Sequence, residues 1–208
     1  MRIIDISMQI HEGMPVYRNI PEKKPVIRHI KDFSTGSNVR ESKIELELHT
    51  GTHLDAPLHM IQDGMDSAFF KTNDMVHKCK VLDMTWVDEG ISDADFGRKN
   101  IESGDYILLK TKNSYIDGFS PDYIYLTESG ARYLVDKGIK GVGIDALGIE
   151  HSQPGHPTHK LLLGNGIYIL EGLRLKNVPE GSYTLIAAPL NIVGVEASPV
   201  RALLLCDM

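Results

Sequence analysis

Within eleven residues the chain reads His49-Thr50-Gly51-Thr52-His53-Leu54-Asp55-Ala56-Pro57-Leu58-His59. Imidazole and carboxylate are the side chains that hold a transition-metal ion or move a proton near neutral pH. His49 and His53 are four apart and Asp55 follows two later, a spacing that fits one face of a helix or of an extended strand. Thr50, Gly51 and Thr52 are poor helix formers and Pro57 comes soon after, so the segment reads as extended. The alternating stretch Lys43–His49 reads as a half-buried strand with Ile44, Leu46 and Leu48 inward. Continued extension puts His49, Gly51, His53, Asp55, Pro57 and His59 on the opposite, polar side. Gly51 leaves room there for a cation held by His49, His53 and Asp55. This donor set suits Zn, Mn or Fe better than Mg or Ca. A single histidine near a strand end is usually an ordinary surface or core residue; three with a carboxylate on one face argue for a site. His59 reads as a further ligand or as a proton carrier.

A second window, His151-Ser152-Gln153-Pro154-Gly155-His156-Pro157-Thr158-His159, holds three more of the nine histidines. Its prolines and glycine make it a loop, of the kind that carries function or closes over a site. Glu171 ends the apolar strand Ile167–Leu170, where an acid is often simply solvated. If loop and strand face the first window, Asp55 could bridge a second ion, as carboxylates do in two-metal hydrolytic sites. Spacing alone does not bring them together.

The elements that must position these groups are mostly strands. Arg2–Ile6, Val81–Met84, Tyr106–Lys110, Gly141–Asp145, Ile167–Glu171 and Thr184–Ala188 read as strands, and residues 11–40 as loop with short extended pieces. One clear helix runs from Glu128 to Lys137, capped by Thr127 and ended by Gly138. Ser92 with Asp95 forms a capping box before a shorter helix. The pattern predicts one α/β domain over residues 1–208, with a mixed sheet and few helices.

Composition narrows the function. With 208 residues, 42 % hydrophobic and 24 % charged, the chain has the make-up of a globular protein. A net charge of −6 argues against a nucleic-acid surface and against anionic lipid. The opening MRIIDISMQIHEG has Asp5 inside its apolar stretch, unlike a secretory signal, and no run approaches a membrane span. Cys79 and Cys206 are too few for a disulfide framework, which fits a cytoplasmic protein. There is no G-x-S-x-G elbow, no P-loop and no complete dinucleotide fingerprint around Gly141-Val142-Gly143.

The eleven-residue block resembles the His-x-Gly-Thr-His-x-Asp-x-Pro-x-His signature of the cyclase family of metal-dependent hydrolases, which includes kynurenine formamidases and isatin hydrolases. The resemblance extends along nearly the whole chain, through Asp5-Ile6-Ser7, Gly13–Tyr17, Gly143–Leu147, His159 to Glu171, and Pro189–Ile192 to Ser198–Ala202. It implies a three-layer β/β/α domain of the swivelling type, forming a homodimer or homotetramer. It implies His49, His53 and Asp55 as ligands of one ion, and Asp55, His159 and Glu171 as ligands of a second where two are bound, with zinc or manganese as the metal. It assigns proton transfer to His59, and places Tyr17 beside the substrate, where formamidases often carry Trp. Gly148 stands where the family often has Ser, Glu150 where it often has Asp, and Lys110–Ser114 lacks the usual Thr-Gly-Trp; these departures concern the pocket. The expected reaction is hydrolysis of a small amide, an arylformamide such as N-formylkynurenine or a lactam such as isatin, by a metal-bound hydroxide. The alternatives are a metal-dependent cyclase or dehydratase, and a non-catalytic small-molecule or metal-binding module that retains the site. The expected partner is a small-molecule substrate, with neither nucleic acid nor membrane.

Overall fold

The computed structural model describes residues 2–97, 99–151 and 153–206, so Ser152 of the second histidine window lies outside the described residues. The strands are β1 (Arg2–Asp5), β2 (Val26–Lys31), β3 (Glu41–Glu45), β4 (His53–Asp55), β5 (Val76–Asp83), β6 (Gly90–Ile91), β7 (Tyr106–Lys110), β8 (Tyr125–Leu126), β9 (Gly141–Ile144), β10 (Tyr168–Glu171), β11 (Gly181–Pro189) and β12 (Ala197–Cys206). The α-helices are α1 (Glu128–Asp136) and α2 (Pro157–Gly164).

Seven strands close on themselves in the order β12-β11-β5-β7-β9-β10-β4, and β4 pairs back onto β12. The closure depends on the length of β12. One of its edges runs along β11; the other pairs with β4 at Ala197–Pro199 and with β1 at Leu203–Cys206. The run β5-β7-β9-β10 is parallel and the remaining pairings are antiparallel. The sheet is mixed, but it is a closed barrel and not the three-layer β/β/α arrangement expected from the family resemblance. Because β4 is bonded on both sides, the sheet has no open edge here and folds back on itself without a second sheet layer.

Strand alternation then supplies two apolar cores. Val81, Leu108, Leu170, Leu185 and Ala202 fill the barrel interior. Ile107, Leu109, Val142, Ile144 and Ile169 point outward, against Ala131 and Leu134 of α1 and Leu162 and Leu163 of α2. Every residue of β7 is therefore buried, which is why Tyr106–Leu109 reads as an unbroken apolar run. Thr127 accepts a hydrogen bond from the Gly130 N–H at the start of α1, and the Ser92–Asp95 capping box opens a short 3-10 turn, Asp93–Phe96, both as the residue types require.

The stretch before the first histidine window departs from expectation. β3 ends at Glu45 and pairs only with β2, in a two-stranded ribbon that stands clear of the barrel. All its residues are exposed, Ile44 included at 49 %, because no second layer covers them. The chain then turns through His49 and re-enters the barrel at His53.

Two close approaches lock this re-entry. Buried Thr52 donates from Oγ1 to the Gly172 carbonyl at 2.7 Å and accepts from the Met8 N–H at 2.8 Å. Gly172 has φ of +69°, and a Cβ there would lie 2.3 Å from the Gly51 carbonyl oxygen. Gly172→Ala must therefore strain the backbone and separate two chains that touch. We expect a loss of about 2 kcal/mol or more in denaturant unfolding. Stability equal to the parent protein would mean that this approach can relax at no cost.

Candidate active site

Strand register builds the base of the site. His53 and Asp55, two apart on β4, share a face. β10 lies antiparallel with Glu171 opposite His53, while β12 sets Pro199 opposite His53 from the other side. His53 Nε2 is 3.4 Å from Asp55 Oδ1 and 3.3 Å from Glu171 Oε2. His49, in the turn before β4, brings Nδ1 to 3.0 Å from Asp55 Oδ1. His159, in the first turn of α2, brings Nε2 to 3.3 Å from Glu171 Oε1 and 3.9 Å from Asp55 Oδ2. His59 ends the 3-10 turn Pro57–His59, its ring centroid 4.0 Å from that of His49 and 5.8 Å from that of His159. The two histidine windows and Glu171 thus converge on Asp55.

Asp55, His53, His159 and Glu171 are all buried, Asp55 completely. Both Asp55 oxygens, His49 Nε2 and His53 Nε2 are buried with no hydrogen-bond partner among the described residues. Such orphaned groups are costly and rare in folded proteins unless something binds them. Imidazole nitrogens and carboxylate oxygens converging in this way fit a divalent transition metal.

The electrostatics follow from this crowding. Burial and the neighbouring Asp55 raise the Glu171 pKa, but the His159 and His53 imidazoles beside it outweigh them and hold it at about 2. Burial opposes the charged forms of His53 and His159, yet their carboxylate partners lift both to about 10. His59 has no such partner, and burial pushes it down to about 4.

Two of the histidines are oriented by acceptors behind them. The His53 Nδ1–H donates to the Gly51 carbonyl at 2.9 Å, and the His159 Nδ1–H donates to Glu150 Oε2 at 2.6 Å. A carbonyl and a carboxylate only accept, so Nδ1 keeps its proton in both rings, and Nε2 is the nitrogen that faces Asp55 and Glu171 and is bared to a metal when it gives up its own proton. Glu150 also accepts from the Thr158 and His159 N–H groups at 3.2 Å and from Gln153. Sequence reasoning marks Glu150 only as a family departure. The available signal was an acid directly after apolar Ile149, close upstream of His159, and nothing local says that it reaches the ring.

Three expectations about the windows need correction. His49 lies in a turn, because Gly51 at φ +79° breaks the extension. A Cβ on Gly51 would meet Met14 Cε at 3.3 Å, so this glycine turns the backbone and does not open space between the histidines. The second window is only partly loop: Pro157, with its fixed φ, starts α2, and His159 rides on that helix. Glu171 is buried, since the strand it ends is an inner strand of the barrel. His151 packs against the rings of Tyr123 and Tyr125, and His156 is exposed, 3.7 Å from Glu150.

A cavity of about 250 Å³ opens onto the cluster. His49, His59, His159 and Glu171 line one part, Val16, Tyr17, Met60 and Leu147 form an apolar wall, and Lys23 with Glu47 lies at its margin. Tyr17 is held edge-on against Phe119, with ring centroids 5.5 Å apart. Gly148 sits close against the Tyr123 hydroxyl: a Cβ there would lie 3.2 Å from it, a tight contact, and 3.9 Å from the Tyr17 ring.

A buried His/Asp/Glu cluster under a small half-apolar cavity is the site of a metal-dependent enzyme acting on small molecules. Residues 4–151 match the family described as putative cyclase, and the chain belongs to that family. It is 34 % identical to a kynurenine formamidase of Erythrobacter litoralis, over 98 % of this chain and 93 % of that protein. A solved structure described as a potential metal-dependent hydrolase with cyclase activity superposes with a TM-score of 0.91 at 50 % identity, covering 98 % and 96 % of the two chains. Isatin hydrolase A of Labrenzia aggregata, solved bound to benzyl benzoate, gives 0.84 at 26 % identity, covering 98 % and 93 %.

Proposed function

We propose that the protein is a metal-dependent hydrolase of a small amide, an arylformamide or a lactam. The observation that carries this reading is the set of orphaned, buried nitrogen and oxygen atoms on His49, His53 and Asp55, with His49 also lining the cavity. The kinship with a kynurenine formamidase and an isatin hydrolase supports the choice of bond. His49, His53 and Asp55 would hold one ion, and Asp55, His159 and Glu171 a second where two bind; zinc and manganese suit these donors. When bound, a divalent metal supplies a Lewis acid for the carbonyl and lowers the pKa of water toward ~7.

The chain's own residues do the rest. Tyr17 and the apolar wall orient an aromatic ring and exclude water. His59, whose imidazole borders the cavity beside His49 and is neutral near pH 7, would take a proton from the attacking water and pass it to the leaving nitrogen. His53 and His159 are protonated in the metal-free site near neutrality, so loading must displace those protons. Metal affinity is expected to rise with pH across the neutral range, with proton release visible when calorimetric titrations are compared in buffers of different ionisation enthalpy. Affinity independent of pH would remove the two histidines from the ligand set.

Glu150 should matter through His159. Glu150→Gln keeps the size but loses the charged acceptor, and outer partners of this kind typically change metal affinity by about 10–100-fold. Competition with a chromophoric chelator measures it, and unaltered affinity would leave Glu150 a helix-terminus residue only.

The deciding experiment is metal content by mass spectrometry on protein purified without added metal, followed by turnover of N-formylkynurenine and isatin. Bound metal with hydrolysis of either is the expected result; no metal uptake after dialysis, or metal without turnover, defeats the proposal. Product analysis in heavy-oxygen water separates hydrolysis from cyclisation or dehydration, since hydrolysis alone incorporates the solvent oxygen. A homodimer or homotetramer is part of the proposal. It is supported by the ribbon β2–β3 and its turn, which expose Ile30 at 60 %, Phe33 at 65 % and Ile44 at 49 %. Light scattering that finds a monomer overturns that part. No described helix is long and apolar enough to cross a membrane. The proposed location is cytoplasmic, which the two free cysteines support.

A further inference from the structure

We propose that the Lys23–Glu47 ion pair at the cavity margin reads a zwitterionic head group on the substrate, selecting amides that carry an ammonium and a carboxylate together over neutral amides and lactams. The inference rests on the amide-hydrolase reading above.

Lys23 is the one Lys or Arg among the described residues that line the cavity. Its Nζ lies 2.7 Å from Glu47 Oε1, and the two side chains remain 29 % and 40 % exposed. A pair this accessible contributes little to folding, so a ligand can exchange into it at low cost. Its place relative to the metal-binding cluster is nevertheless fixed. The buried Thr50 Oγ1 donates to the Lys23 carbonyl at 3.0 Å, and Thr50 directly follows His49. Glu47 stands two residues before His49 on the same turn. The pair, the apolar wall and the ligand cluster share one cavity of about 250 Å³, room for a single-ring compound with a short tail.

The charges decide what tail that is. A neutral ligand leaves Lys23 and Glu47 paired with each other and gains nothing from them. A purely anionic ligand takes Lys23 and leaves Glu47 unpaired beside it. A head group bearing both signs exchanges charge for charge, with each group meeting an opposite partner.

The test compares metal-loaded, full-length protein on N-formylkynurenine and on formanilide, which lacks the tail. Wild type should show the higher kcat/KM on the first. Lys23→Met and Glu47→Gln should each lower the ratio of the two values by about tenfold, the size of one charge-assisted hydrogen bond. Because it is a ratio within one preparation, it cancels any loss of folded or loaded protein. Calorimetric titration with kynurenine, the deformylated product, should show Kd rising by a similar factor in both variants. Ratios and Kd within about twofold of wild type in both variants overturn the proposal, as does a wild type without preference. If neither formamide nor isatin is cleaved, the amide reading fails, and the kynurenine titration still judges the ion pair on its own.

Discussion

Asp55→Ala should empty the metal centre. Asp55 is the shared member of the cluster, with His49, His53 and His159 nitrogens at 3.0, 3.4 and 3.9 Å from its two oxygens. Neither oxygen is spent on a hydrogen bond among the described residues. Its removal takes away the ligand that both ion positions use, so the loss of affinity should exceed the about 10–100-fold typical of outer-shell partners. Activity should fall to background with it. The same substitution strips the buried histidines of their counter-charge, a change that commonly costs about 3–5 kcal/mol. Asp55→Asn keeps the shape and lowers that risk. Full metal content by mass spectrometry in folded Asp55→Asn protein would remove Asp55 from the ligand set.

His59→Ala should behave in the opposite way, keeping its metal and losing turnover. Its ring lies tilted against that of His49, centroids 4.0 Å apart, and burial depresses its basicity to about 4 in the metal-free site. A bound cation opposes a second positive charge nearby, so His59 is neutral at rest, and a proton that it takes up from the attacking water is readily given to the leaving nitrogen. General acid catalysis is worth about 10²–10⁴-fold, and kcat for an arylformamide should drop by that range with metal content unchanged. Added imidazole, small enough to enter the void, should restore part of the rate. Wild-type turnover in the metal-loaded variant would end the assignment.

The family follows from eleven contiguous residues, because ligand chemistry written into one short segment survives without knowledge of the fold. His49, His53, Asp55 and His59 were legible for that reason, although the local geometry was not. Extension through Gly51 was the natural reading, and a positive φ that avoids Met14 and lets Gly172 approach cannot be read from spacing. Local signals placed α1 and the Ser92–Asp95 box well, since capping involves residues three apart.

What the tertiary structure alone decided is everything that depends on pairing between distant segments. An unbroken apolar stretch such as Tyr106–Leu109 looks the same in a layered sheet and in a barrel. Closure came from β12, whose length lets one edge serve both β4 and β1. That closure sets β4 against β10 and so puts Glu171 opposite His53, while α2, packed outside the same strands, delivers His159 with Glu150 behind it. Residue types determined which candidate ligands this chain owns. Long-range register determined that they meet, because a hydrogen-bonded ladder fixes the positions of side chains more than a hundred residues apart, and no local propensity encodes that alignment.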